Sequence, residues 1–384
     1  MSQVKYLLIN VVETLLRFFP VPCRTGLIET GNPDQNSPVF LTCNYHLTVQ
    51  RVKRALKGMD CYLLVCNSGG INVWCGSAGG HLNNHSVISV LKTSGIEDRV
   101  NHRKVIVPQL AASGVDQRVI LQKTGWKMIW GPVYAKQIFA FMKNKGKKTP
   151  EMKVVRFPLI QRIEAAVMWA FPLSAAAGLL TALFWPEMIL SSILFIWGIS
   201  FMVFLLFPLY SKWVLGGENN QESRPKNSFF EILRVFFCLW ATFLVGLLVY
   251  SGVTHSFNNG FWLRWGILSL VVVFLLSIDL AGSTPVYKSG MHEDRLFTVQ
   301  LDKGKCRGAN FCEQVCPRNC FEVHPKKHSA EMPRASQCVQ CGACMVQCPF
   351  DALYFKNPRG EVVTPDIIRK YKLNLMGKRA LKMD

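Results

Sequence analysis

Three textures of apolar and polar positions follow one another along the chain. From residue 38 to about 145, short apolar runs alternate with amphipathic stretches. PVFLTCNY (38–45), CYLLVC (61–66), KVIVPQ (104–109) and WKMIW (126–130) read as strands. LTVQRVKRALKGM (47–59), a segment around 85–94 and YAKQIFAFMKNK (134–145) read as helices. Short β runs separated by amphipathic helices predict a parallel sheet wrapped by helices, with any ligand at the carboxyl ends of the strands.

The middle of the chain is different. Ala165–Phe184 and Met188–Tyr210 carry no charge, Val235–Thr254 is a third such span, and Phe261–Leu280 a fourth with Arg264 and Asp279 near its ends. Each is long enough to cross a bilayer as a helix, and Arg264 can snorkel to the interface. Lys143, Lys145, Lys147, Lys148, Lys153, Arg156 and Arg162 precede the first span. Lys212, Arg224, Lys226 and Arg234 lie between the second and third, whereas the other two links hold almost no Lys or Arg. Positive-inside bias then puts both termini in the cytoplasm, with the soluble parts facing it across an inner membrane crossed several times. Residues 4–19, VKYLLINVVETLLRFF, look like a signal peptide at first sight. Glu13 interrupts the apolar core and a proline follows at 22, so an amphipathic helix on the membrane or against the first domain is expected.

Composition changes this picture only in part. The formal net charge is +20, with 18% of residues charged and 50% apolar. The basic residues flank apolar spans and form no aromatic-interleaved surface, which excludes a nucleic-acid partner. Of 14 cysteines, eight fall between 306 and 348, a density that argues for metal in a reducing compartment. Cys23, Cys43, Cys61, Cys66 and Cys238 read as small buried hydrophobes. His81 and His85 have helical spacing but no further ligands nearby, so they read as exposed helix histidines.

Residues 338–349, CVQCGACMVQCP, have the C-x2-C-x2-C-x3-C-P spacing. It wraps three thiolates around one cubane and sends the fourth to a second cluster. CRGANFCEQVCP (306–317) repeats the frame with Ala309 where the second cysteine belongs. Cys338, Cys341, Cys344 and Cys316 are therefore assigned to a complete 4Fe-4S cluster. Cys306, Cys312 and Cys348 remain for the other site, which is either 4Fe-4S or 3Fe-4S, with Cys320 available as a fourth ligand. The region resembles bacterial two-cluster ferredoxins over roughly 296–356. Such a module moves single electrons and needs a partner in the chain that accepts them.

The stretch GGINVWCGSAGG (69–80) follows the second strand and sets Cys75, a soft potential ligand, at the ligand edge of the sheet. There is no GxGxxG and no Walker loop. LTCNYHLTV (41–49), LLVCNSGGINVWC (63–75), NHRKVIVPQLAASGV (101–115) and GPVYAKQIFAFM (131–142) resemble, in this order, the corrinoid-binding domain of the membrane protein that methylates mercury. They are more distantly similar to the large subunit of the corrinoid iron–sulfur protein of acetyl-CoA metabolism. The resemblance covers about residues 25–160 and continues into the membrane segment.

What the resemblance implies is specific. A cap helix carrying Asn72, Val73, Trp74 and Cys75 would lie under a cobalamin-like corrinoid, with the Cys75 thiolate as the catalytic ligand to cobalt. Thr42, Pro108, Gln109, Gly114, Gly131 and Pro132 would lie near the corrin. Donation from the thiolate would favour transfer of a methyl group to a soft metal ion such as Hg(II), and the clusters would return cobalt to Co(I). The implied partners are the membrane, a methyl-donating methyltransferase and a low-potential electron donor. The family continues after the cysteine with two small residues, then glycine and lysine; here Gly76, Ser77, Ala78 and Gly79 follow without the lysine, which leaves other methyl acceptors open. So does a reading as a membrane-bound electron-transfer protein.

The expected architecture is therefore multidomain. It comprises an amphipathic helix over 1–24, a Rossmann-like α/β corrinoid domain over 25–160, and a four-helix transmembrane region over 161–285. An α+β two-cluster ferredoxin domain over 292–360 and a basic tail over 361–384 complete it.

Overall fold

A computed structural model of the chain describes residues 3–210, 228–254, 258–280, 297–356, 360–373 and 379–381. These fall into two compact units. One comprises residues 1–10, 19–155 and 297–384, and the other residues 11–18 and 156–296. The expected corrinoid and ferredoxin regions therefore belong to one unit. The flanking positions Lys212, Arg224 and Lys226 lie outside the described residues, and nothing is described of the Asp279 side chain.

The first unit is built on a five-stranded sheet of order β1–β3–β2–β4–β5. Its strands are β1 (Gly26–Thr30), β2 (Val39–Cys43), β3 (Cys61–Cys66), β4 (Lys104–Val107) and β5 (Lys127–Trp130). All neighbours are parallel except β1, which pairs antiparallel with β3. The strand runs are as anticipated, and β1 is an addition: GLIET is too short and too polar to stand out. Every residue of β2 and β3 is buried, which is why they read as continuous apolar runs and not as alternation.

The helices follow from local signals. Preceding the sheet is α1 (Gln3–Leu15), with α2 (His46–Ala55), α3 (Val73–Ala78), α4 (Asn84–Thr93), α5 (Gln117–Thr124), α6 (Ile138–Lys143) and α7 (Pro150–Lys153) between and after the strands. Asn83 and Ser86 form a capping box that starts α4. Asp116 caps α5, which Gly125 ends at φ +74°. Because α4 starts only at Asn84, His81 lies ahead of it. The two histidines are exposed but do not share a helix face.

From β2 the chain crosses to β3 on one side and returns to β4 on the other. The direction of winding thus reverses between β2 and β4, which pair only at Phe40 and Ile106. A crevice at the carboxyl ends of these two strands is where a doubly wound sheet takes its ligand.

The carboxyl-terminal part of this unit has a three-stranded sheet, β6 (Thr298–Leu301), β9 (Leu353–Lys356) and β10 (Val362–Val363), and a hairpin of β7 (Glu322–His324) and β8 (Ser329–Glu331). Cys316, Cys320, Cys344, Phe321, Met345, Leu353 and Phe355 form its core.

The second unit contains α8 (Leu159–Phe184), α9 (Ile189–Leu205), α10 (Ser228–Thr254) and α11 (Asn259–Leu280). All four are long and apolar enough to cross a membrane. Ala166, Ile196, Val203, Phe204, Val273 and Leu276 pack at their centre, while Leu179, Leu183, Leu190, Val253 and Leu263 point outward. Some of the polar groups inside are satisfied locally, while Ser200 Oγ and Ser251 Oγ are buried with no hydrogen-bond partner among the described residues. Thr181 donates to Ala177 O at 2.8 Å, and Trp197 Nε1 donates to Ser174 Oγ at 3.1 Å. Arg264 pairs with Glu187 and lies over the Trp185 ring. Cys238, expected to be buried, is exposed. A free cysteine is a small hydrophobe that water-soluble cores bury, but a helix whose outward face is itself apolar can carry it on that face.

Candidate functional site

The glycine-rich stretch is a strand-to-helix connection held by side chains of Asn44, Asn67 and Ser68. Asn44, directly after β2, accepts through Oδ1 from the Ser68 and Gly70 backbone N–H groups at 2.8 and 3.0 Å. Gly70 has φ +72°, and a Cβ there would lie 2.6 Å from Pro22 N. The glycine thus serves the chain's own close packing, and not the approach of a ligand as a Gly-rich loop suggests. The connection delivers the chain into α3. Asn72 caps this helix by accepting from the Cys75 backbone N–H at 3.0 Å.

On α3 the two sides differ. Gly76 and Ser77 are buried, Val73 and Trp74 are half-buried, and Cys75 is exposed. The buried side rests on a short 3-10 turn, Gln109–Ser113, that follows β4. Gly114, which ends that turn, has no room for a side chain. A Cβ would stand 2.3 Å from Leu82 O and 2.8 Å from Ser77 O.

The eight carboxyl-terminal cysteines fall into two groups. Cys306, Cys312 and Cys348 line one pocket together with Ala309, Asn310 and Phe311. Cys316, Cys338, Cys341 and Cys344 are electrostatic neighbours of one another. Cys320 belongs with the second group: its thiol hydrogen-bonds to Cys316 and Cys338, and its N–H donates to Cys316 Sγ at 3.3 Å. Cys320 thus stands beside the second group and is not among the residues that line the pocket of Cys306, Cys312 and Cys348. CPRNC is a tight turn that folds Cys320 back onto Cys316. Burial pushes Cys312 up to about 12 and raises Cys341 and Cys344, since a thiolate is costly in apolar surroundings. Bound iron would supply the positive charge that such thiolates need. In donor chemistry, three thiols at one site and four at the other are the ligand type that iron–sulfur clusters take, and α3 carries one exposed soft donor.

The two cysteine-bearing helices, α12 (Phe311–Val315) and α13 (Ala343–Gln347), pack against the same 3-10 turn that supports α3. Polar groups across this contact pair extensively. Gln347, fully buried, donates through Nε2 to Ala112 O at 2.8 Å and Val115 O at 2.7 Å. Lys148 donates to Gln109 Oε1 and Gln314 O, both at 2.6 Å, and Lys153 pairs with Glu313 at 2.6 Å. Arg369, on α14 (Pro365–Lys370), lies 3.5 Å from Asp116 and also pairs with Asp351. Burial, together with the charge of Lys153, lowers Lys148 to about 7. The neighbouring guanidinium of Arg369 holds Asp351 below the ordinary carboxylate range.

Of the positions singled out in the sequence, Asn72, Val73, Trp74 and Cys75 share one helix. Pro108, Gln109 and Gly114 flank or form the turn beneath it, and Gly131 and Pro132 follow β5. Thr42 is buried within β2. The amide of Gln109 is engaged on both ends, donating to Lys153 O at 2.8 Å and accepting from Lys148. Its observed partners therefore lie within its own domain, on the two lysines that in turn reach Gln314 O and Glu313. Gln347, Lys148, Lys153 and Glu313 carried no signal in the sequence beyond their type.

Residues 17–142 match the family model described as CO dehydrogenase/acetyl-CoA synthase delta subunit, and residues 305–362 match that of the 4Fe-4S dicluster domain. The acetyl-CoA decarbonylase/synthase complex subunit gamma of Methanocaldococcus jannaschii is 38% identical over 131 residues, which is 34% of this chain and 26% of that protein. The subunit of the same name from Methanothermobacter thermautotrophicus is 42% identical over 109 residues, 28% of this chain and 23% of its own length. The corrinoid/iron-sulfur protein large subunit of Moorella thermoacetica is 30% identical over 124 residues, covering 32% and 27%. The chain thus spans about a quarter of the length of these curated relatives. Its amino-terminal domain is similar to corrinoid iron–sulfur proteins, and its carboxyl-terminal domain is a ferredoxin-like 4Fe-4S domain.

Proposed function

We propose that the chain is a membrane-anchored, corrinoid-dependent methyltransferase that carries its own electron supply. The observation that supports this best is the shared turn Gln109–Ser113, which has the Cys75 helix on one side and the cysteine-bearing helices α12 and α13 on the other. When bound, the corrin would supply a methyl-carrying cobalt and the clusters the electrons that keep it nucleophilic. Cys75 would hold cobalt through its thiolate. Asn72 fixes the turn of α3 from which that thiol projects, and Gly76 and Ser77 seat the helix. Cys316, Cys338, Cys341 and Cys344 would hold a four-iron cluster. Cys306, Cys312 and Cys348 would hold a three-iron one, because Cys320 is engaged elsewhere and Ala309 has no donor atom.

Four apolar helices and the positive flanks support an inner-membrane anchor with the soluble parts facing the cytoplasm. A methyl-donating methyltransferase and a low-potential electron donor would be the partners. A soft metal ion such as Hg(II) is the acceptor that a donating thiolate suits. A corrinoid methyl carrier with another acceptor is the second reading, favoured by the acetyl-CoA names of the relatives and by Gly76–Gly79, where no lysine stands.

The test is cobalt content and the visible spectrum of anaerobically purified protein, native beside Cys75→Ala. A bound corrinoid whose spectrum changes on removing the thiol is the expected result. Absence of cobalt with iron intact would sink the reading. Methylmercury formation by the membrane fraction separates the two acceptors.

A further inference from the structure

Gln347 occupies an unusual place. In sequence it stands between Cys344 and Cys348, thiols of the two different groups, and it closes α13. Its side chain nevertheless belongs to the other domain's backbone. Both amide N–H bonds go to carbonyls around the 3-10 turn, Ala112 O and Val115 O, and Oε1 accepts from Gln117 N at 3.3 Å. With the residue fully buried, no water competes for these groups. A planar amide with two donors and one acceptor, each matched, fixes both distance and orientation, as an apolar contact would not.

Two residues after Ala112, Gly114 allows the turn to meet the backbone of Ser77 and Leu82 closer than any side chain permits. A fully buried polar connection from α13 to the turn beneath the Cys75 helix is therefore this one amide, set beside the apolar packing of Val315, Ala343 and Cys341. Other pairs also cross between the domains: Lys148 with Gln314 O and Lys153 with Glu313, which involve α12, Val155 N with Pro317 O, and Arg369 with Asp116.

We propose that Gln347 is the positioning residue of the intramolecular electron transfer. It would hold the complete cluster of Cys316, Cys338, Cys341 and Cys344 in register with the Cys75 helix through the turn Gln109–Ser113. The inference rests on the functional reading above. One electron would leave the cluster held by Cys316, Cys338, Cys341 and Cys344, and one would arrive at the group held by Cys75, with no bond made or broken; the reductant would be a low-potential electron donor such as dithionite. Gln347 touches neither group and acts by register alone.

The test uses the full chain, purified with its cofactors, as native protein, Gln347→Leu, Gln347→Glu and Gln347→Asn. Leu keeps the bulk and loses the donors; Glu keeps the shape but faces two carbonyls with a carboxylate; Asn keeps the amide one methylene short. Iron content and the cluster spectrum should be unchanged in all four. Amide hydrogens of residues 111–117 should exchange about tenfold faster in the Leu and Glu variants, as two buried hydrogen bonds are lost. Reduction of the Cys75-held group by pre-reduced clusters should slow by about tenfold or more, the scale of a positioning loss, with Asn intermediate. Faster exchange with an unchanged transfer rate would overturn the coupling role, and unchanged exchange would overturn the clamp itself. Native protein without cobalt would overturn the functional reading, and the coupling role with it. Cobalt present with a variant-independent rate overturns the coupling role alone.

Discussion

At the scale of single residues, the chain separates groups chosen for chemistry from groups chosen for room. Cys75 is exposed on a capped helix, whereas Cys43, Cys61 and Cys66 are buried thiols whose protons burial holds on. Asn72→Ala should cost about 1 kcal/mol of stability, measured as a shift in denaturant midpoint, since it removes the cap of α3. Ala309→Cys should convert the first cluster. A three-iron signal in the electron paramagnetic resonance of the oxidised native protein should disappear as iron content rises by one per chain. An unchanged spectrum would show that this pocket is already four-coordinate.

Lys148 makes a pH prediction whose sign is fixed. Its folded-state value is lowered to about 7 from an ordinary 10.5, so between these limits the unfolded chain binds more protons than the folded one. Stability should therefore rise with pH across that window. Lys148→Met should flatten the rise, and a wild-type curve that falls there would contradict the burial of this ammonium.

At the scale of elements, contact distance decides which substitutions the packing tolerates. Gly114→Ala pushes a methyl group into Leu82 O and Ser77 O, both backbone atoms that cannot swing aside. It should destabilise by about 1–3 kcal/mol, the usual cost of overpacking, and lower corrinoid retention along with the melting temperature. The strands of the sheet were readable because burial on both faces leaves continuous apolar runs. β1 was not, because an edge strand needs only one pairing partner, and its Gly26–Thr30 takes its register from β3. The histidine pair is exposed as expected but shares no helix: 3.6-residue spacing is meaningful only within one helix, and the capping box at Asn83 begins α4 after His81.

At the scale of the molecule, two apolar environments are present. One is a mixed α/β core continuous with the cysteine-bearing helices, since Val315, Ala343 and Cys341 pack into the same cluster as β2 and β4. The other is a helical unit whose large apolar side chains face outward. Such surfaces have no place in water at this extent, so the chain should remain with membranes after alkaline carbonate extraction. A reporter placed between α8 and α9 should lie on the non-cytoplasmic side of the membrane, and one at the carboxyl end in the cytoplasm. The opposite labelling would reverse the charge-based orientation.

The sequence by itself determined what depends on near neighbours. The C-x2-C-x2-C-x3-C-P spacing binds iron because one turn of chain presents three thiolates. Twenty-residue apolar spans identify themselves by length, and alternating runs and helices declare a parallel sheet. Only tertiary structure decided the pairings across the chain. These are Cys320 with Cys316 and Cys338, Gly70 against Pro22, and the amide of Gln347 on carbonyls more than 230 positions away. Buried polar complementarity has no period and no composition, because each partner is an ordinary residue until folding removes the water between them.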